Sequence, residues 1–281
     1  MWPFNKSKNS NKRTIDPRVY KRSYIAAENS RLYNWQSASD RTADGDVKNA
    51  LVQLRRRSRE LVQNEPLAKR YISLMSTQIL GRQGIKLQMK SRNPDQTLDF
   101  LVNNHIESIR REWGRKAGTV YPVCDASGKF TFLDVQRQVL DAILRDGEAI
   151  IYLHDGKRNP HGLQVELLAS DRLDIERNTV LQNGNVVRMG IEQEQRTHWP
   201  VAYWMNMKED PLYGTYKFSP QAGAKYERIP AEQIIHVYHS DRIEQSRGVP
   251  WMAPAMPHIK LLQTYLENEI VASSLAAAKV A

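Results

Sequence analysis

The apolar residues of this chain change their spacing twice, and that pattern dictates what the chain can fold into. From Val47 to Leu144 they recur at helical spacing. From Ala149 to Tyr238 they alternate or cluster in short blocks, and beyond Pro250 they return to a helical stripe. Elements segregated in this way specify an α+β fold: helices flanking a mixed, mostly antiparallel sheet, with a long helix at the end. With 281 residues, 41% of them hydrophobic and 26% charged, the chain can bury one large or two small cores, which excludes disorder throughout.

In the helical stretch, Asp44-Gly45-Asp46 precedes a stripe of Val47, Leu51, Leu54, Leu61 and Val62, so acidic residues are expected to cap the first helix. Arg55, Arg56, Arg57 and Arg59 are assigned to its opposite, solvent face. Pro66 opens a second helix that Gly81 and Gly84 end, and Ile85, Leu87 and Met89 alternate as a short strand would. Further helices are predicted over 94–113 and 132–146, the latter stopped by Gly147. Strands are expected over 149–153, 163–168, 200–207 and 234–238, with a tight hairpin at Asn183-Gly184 and an aromatic loop over 211–220.

Charge narrows the partners. Lysine and arginine number 41 against 31 acidic residues, a net charge of +10. Much of the surplus is local: Lys6, Lys8, Lys12, Arg13, Arg18, Lys21 and Arg22 predict a flexible basic arm over 1–24. Such an arm suits sequence-independent phosphate contact, as does the Arg55, Arg56, Arg57 and Arg59 face. Cys124 is the sole cysteine, which rules out an intrachain disulfide and a thiolate-rich metal site and fits a reducing cytoplasm. The start of the chain lacks the apolar core of a secretory signal, and no window reaches the roughly 18 apolar residues of a membrane span, so the expectation is cytosolic synthesis and no membrane partner.

Signatures of chemistry are weak. An ATP motor needs Gly-Lys-Ser/Thr, whereas Gly128-Lys129 and Gly156-Lys157 are followed by Phe130 and Arg158. His236, His239 and Asp241 could hold a metal if they converged, but strand parity points the two histidines oppositely. Asp146 with Glu148, or Glu166 with Asp171, could form a general acid/base or two-metal pair, although carboxylates at turns are common. Trp199, Tyr203 and Trp204 suit base stacking or, better, packing of a strand. No catalytic, cofactor or metal residue is assigned, and no enzyme activity is expected.

Arg228-Ile-Pro-Ala-Glu-Gln-Ile-Ile-His236-Val-Tyr238 followed by Arg242-Ile-Glu-Gln245-Ser-Arg247-Gly248-Val-Pro250-Trp251 resembles the portal proteins of lambda-type phages. Gly81-Arg-Gln-Gly84-Ile85, Trp113, Asp125-Ala-Ser-Gly128, Asp146-Gly147-Glu148, the 163–173 segment and Gly190-Ile-Glu192 resemble the family in the same order, over about residues 24–281. The chain departs from it in carrying Arg242-Ile-Glu-Gln245 where the family often has Arg-Pro-Gly-Gln, and family members are much longer.

The resemblance implies a wing-like region: the basic arm over 1–24, a mainly helical part over 25–148, a β-rich part over 149–249, and a long helix over 250–281 that belongs to a longer natural protein. It implies a structural subunit of a dodecameric ring in the virion, at one capsid vertex, assembled in the host cytoplasm. The ring would conduct double-stranded DNA of any sequence during packaging and ejection, and would meet terminase, capsid, scaffold and head-completion proteins. Arg242, Gln245, Arg247, Gly248, Pro250 and Trp251 are then a structural joint, with Gly248 permitting a sharp turn, Pro250 leading into the long helix and Trp251 anchoring it. Two other readings stay open: a monomeric basic nucleic-acid-binding protein, and a metal-dependent hydrolase built on His236, His239 and Asp241.

Overall fold

The structure, a computed structural model, describes residues 41–115, 124–156, 159–207 and 226–280. The arm over 1–24 and the aromatic loop over 211–220 lie outside them.

Helix α1 (Ala43–Asn64) starts at Thr42, whose hydroxyl accepts the Gly45 N–H at 3.2 Å. The cap is therefore threonine rather than the expected aspartates; Asp44 and Asp46 sit in the first turn. Glu65, held extended ahead of Pro66, breaks the chain into α2 (Pro66–Leu80), as a residue before proline should. Ile85, Leu87 and Met89 run extended but join no sheet. Asparagine and aspartate turn the chain at Asn93–Thr97, closed by the Asn93 N–H on Thr97 O at 2.8 Å, which delays α3 to Phe100–Gly114 instead of the expected start near 94. A reciprocal Thr131–Asp134 capping box opens α4 (Phe132–Asp146), and Gly147 ends it at φ +93°.

Two antiparallel sheets follow among the described residues. One has the order β2–β1–β8 (Gly162–Leu168, Glu148–Gly156, Ile234–Tyr238). The other is a meander of β3 (Thr179–Val180), β4 (Val186–Arg188), β5 (Ile191–Gln193), β6 (Pro200–Met205) and β7 (Glu227–Pro230). Every named strand pair is antiparallel. The turn at Asn183-Gly184 is looser than a two-residue hairpin: Leu181 N–H bonds Asn185 O at 2.8 Å, and Gly184 but not Asn183 takes positive φ.

The main core lies between the sheets and contains Ile150, Leu168, Leu173, Ile191, Tyr203, Met205, Ile229 and Ile234. Tyr203 is buried there, and Trp204 stacks under the Arg177 guanidinium at 3.6 Å, so both pack the sheet, while Trp199 is 68% exposed. A second cluster joins Leu61 of α1 and Ala68 of α2 to Met252 and Met256. Each methionine or leucine fully buried there contributes roughly 1.5–3 kcal/mol. Met256 begins the last helix, α5 (Met256–Val280). Among the described residues no helix is long and apolar enough to cross a membrane.

Candidate functional site

Glu148 opens β1 immediately after the α4 stop, and its side chain is completely buried. A carboxylate in that position must be compensated, and four groups do so. Arg247 Nε lies 2.9 Å from both carboxylate oxygens, and its Nη2 lies 2.5 Å from Oε1. The Gly248 N–H donates to Oε2 at 3.1 Å. His236 Nε2 meets Oε2 at 3.1 Å, from the diagonal position on the neighbouring strand β8. Arg55 Nη2 stands 2.8 Å from Oε1, approaching as a charge rather than as an aligned donor.

The two guanidiniums are fixed in turn by backbone. Arg247 donates to Met189 O at 2.9 Å and to Ser170 O at 3.3 Å, and Arg55 Nε donates to Asp146 O at 2.8 Å. One helical turn on, Arg59 pairs with Asp146 at 2.7 Å and also with Asp171. Burial alone would push the Glu148 carboxyl up; the charges of Arg247, Arg55 and His236 outweigh it and hold the group well below its ordinary range. Burial acts on Arg55 in the opposite sense and lowers its pKa.

Backbone packing closes the joint. Gly147 and Gly248 lie face to face: a Cβ on Gly147 would stand 2.7 Å from the carbonyl carbon of Gly248, and one on Gly248 would overlap the Gly147 carbonyl oxygen. The chain before them is shaped by Gln245, whose Oε1 accepts the N–H groups of Asp241 (3.0 Å) and Arg242 (3.2 Å) while its Nε2 donates to Arg247 O at 2.7 Å. Its other tether is the start of α1: Ser246 N–H and hydroxyl bind Asp44 at 2.7 and 2.8 Å, and Arg242 reaches Asp46 at 3.0 Å. Arg55 and Arg247, 192 positions apart by sequence number, thus meet on the one carboxylate of Glu148.

Several expectations need correction. Arg55 does not face solvent with Arg56 and Arg57; it is 3% exposed and belongs to the joint, and Arg59 is drawn into ion pairs, because both fall on the same inward stripe as Leu51 and Ser58. Pro250 is buried but does not begin the long helix, which starts six residues later, at Met256. Trp251 is 40% exposed and lies edge-on to His239, so Met252 and Met256 are the anchors. His236 points inward to Glu148 while His239 is exposed beside Asp241 at 3.7 Å, so the three do not converge. Among the described residues no group of three or more His, Cys, Asp or Glu side chains could hold a metal ion. Glu148 and Asp171 are neutralised by arginines, Glu166 bonds His154 at 2.6 Å, and burial followed by the neighbouring Asp125 pushes the Cys124 thiol up to about 11. These carboxylates are thus each paired within the chain, and a thiol raised in this way is a weak nucleophile.

Asp146-Gly147-Glu148, Asp171 and Arg247-Gly248 are separate in sequence and one unit in space, a joint that fixes how the helical layer, the first sheet and the lead-in to α5 meet. The same segments match a family model: the chain belongs to the lambda family of phage portal proteins, matched over residues 28–281. It is 29% identical over 262 residues to a probable portal protein of Halomonas phage phiHAP-1, covering 91% of this chain and 48% of that protein. The chain therefore spans about half the length of that relative. A solved structure titled as the neck of an empty GTA particle, computed with C6 symmetry, superposes over 79% of this chain and 45% of that one, at 12% identity and a TM-score of 0.39, a likeness too loose to define the fold.

Proposed function

We propose that the chain is the wing-like part of a portal subunit, a structural protein that builds a closed ring of about twelve copies at one capsid vertex and conducts double-stranded DNA during packaging and ejection. The observation that carries this reading is the family match over residues 28–281, which includes every segment of the joint. A closed ring needs each subunit to present its interface at a fixed angle, because a heterologous contact closes only if the rotation per copy is constant. A joint with a buried carboxylate, two guanidiniums and two touching glycines supplies such an angle between the body and α5.

In this reading the ring works without chemistry of its own, and the motor and the head-completion proteins dock on it in the virion precursor, in the host cytoplasm. Contacts to DNA are sequence-independent, with Arg56 and Arg57, both exposed on α1, available to phosphates. Native mass spectrometry tests the proposal on the full-length protein: a ring of about a dozen copies is expected. A monomer at every concentration would overturn it in favour of a basic protein that binds nucleic acid alone.

A further inference from the structure

A groove of about 990 Å3 lies between the 82–87 segment, α3 and α4, lined by none of the joint residues. That volume is at the upper end of the roughly 300–1,000 Å3 of pockets that enclose a ligand. Its walls are held firmly. Asn103, Glu107 and Arg110, on one face of α3, bind the backbone of the extended segment at Ser91 N–H (2.8 Å), Met89 N–H (3.0 Å) and Ile85 O (3.0 Å). From α4, Gln136 takes both the N–H and the C=O of Ile85, at 2.9 and 3.1 Å. This side-chain ladder replaces the sheet partner that alternation in the sequence led one to expect.

The chemistry of the lining is two-fold. Among the described residues, Arg82, Lys86, Arg110, Arg111 and Arg115 face Glu107 as the one acidic residue lining it, and that carboxylate already accepts the Met89 N–H. Arg82 is shared with a neighbouring groove of about 600 Å3, where Lys69, Arg137 and Arg145 outnumber Asp141. Between these cations the surface is apolar: Ile85 is 64% and Leu87 41% exposed, and Phe132 and Leu133 line the same groove.

We infer that this groove docks a short acidic segment of a partner protein, in which carboxylates alternate with apolar side chains. The inference extends the portal reading by one partner contact. A duplex fits less well, because it is stiff on this scale, with a persistence length of about 50 nm, and brings phosphates but no apolar group to Ile85 and Leu87. A peptide chain brings both, carboxylates to the guanidiniums in charge-assisted pairs and side chains to the floor.

The test is fluorescence anisotropy of the purified protein with three labelled probes: a peptide alternating glutamate and leucine, an oligoglutamate of equal charge, and a short DNA duplex. The alternating peptide binds most tightly. Lys86→Glu with Arg111→Glu weakens it by roughly tenfold or more, and Leu87→Ser weakens it while leaving oligoglutamate unchanged. All three side chains are exposed, so the fold, checked by circular dichroism, is retained. Tighter binding of the duplex, equal binding of oligoglutamate, or no binding of any probe each overturns the inference. Native mass spectrometry of the full-length variants separates the two proposals: rings whose groove ignores the peptide sink this inference alone, whereas a monomer that binds it sinks the portal reading alone.

Discussion

The joint and the last helix make opposite demands on their surroundings. Around Glu148 the chain buries a carboxylate, two arginines and a histidine, and supplies each charge with its counterpart from within the same chain. Along α5 it does the reverse: Leu261, Leu262, Tyr265, Leu266, Ile270, Val271 and Leu275 are between 42% and 67% exposed. The costly polar burial is thus settled internally and the apolar burial is left open. Since an unpaired buried charge cannot wait for a partner whereas an exposed leucine can, the joint must form in the folding monomer, and α5 is free to be satisfied by association.

The largest effect that could break this comparison is the removal of Glu148. Glu148→Ala leaves Arg55 and Arg247 buried and facing each other, at a cost of about 3–5 kcal/mol in urea unfolding. A loss below ~1 kcal/mol would show that the joint holds nothing together. The same carboxylate predicts an acid response. Its pKa is depressed in the folded chain, so its contribution is present above the ordinary value of 4.5 and is lost as pH falls below it toward the folded value. Glu148→Gln, measured across the same pH series, has a flatter acid limb than the parent; identical limbs would assign the acid sensitivity to other groups.

Next in size is Gly248→Ala, whose methyl group overlaps the Gly147 carbonyl and must push apart the two strands of chain at the joint. About 3 kcal/mol of destabilisation is expected from such overpacking. Serine at position 246 offers a control close by, since Ser246→Ala removes the hydroxyl's hydrogen bond to Asp44 and the one it accepts from Gln193 but creates no clash, and costs about 1 kcal/mol. Arg59→Ala comes lower still. Its side chain is 35% exposed, so solvent screens its pairs with Asp146 and Asp171, and a loss below ~1 kcal/mol in the same unfolding assay separates this rim from the buried centre.

Elements whose cause is local were legible in the sequence, and contacts across the chain were not. Helix α4 ends at Gly147 as read, because a left-handed stop is written in one residue. The antiparallel sheets follow from short alternating blocks. Arg55 turns inward although its charge suits the solvent face: Val47, Leu51, Arg55, Ser58 and Leu61 form one stripe, and the spacing alone marks the arginine as inward. Its partner Glu148 lies 93 positions on by sequence number, where no periodicity could point to it. The extended 85–91 segment kept the alternation of a strand yet took its hydrogen bonds from α3 and α4 side chains, which no strand pattern encodes.

The smallest expected change in stability carries the sharpest test of the comparison. Stepping round α5, the exposed apolar side chains occupy all of its sides rather than one stripe, the pattern of a helix surrounded by protein. Leu266→Gln and Ile270→Gln therefore alter the unfolding free energy of the isolated chain by no more than ~0.5 kcal/mol, since neither side chain is packed there. If the full-length protein builds the proposed ring through α5, the same pair lowers the ring mass to that of smaller species in native mass spectrometry, because each copy would lose apolar contact on both sides of a repeated interface. Intact rings from the double variant would move the assembly contact elsewhere and leave α5 as a helix covered by its own chain.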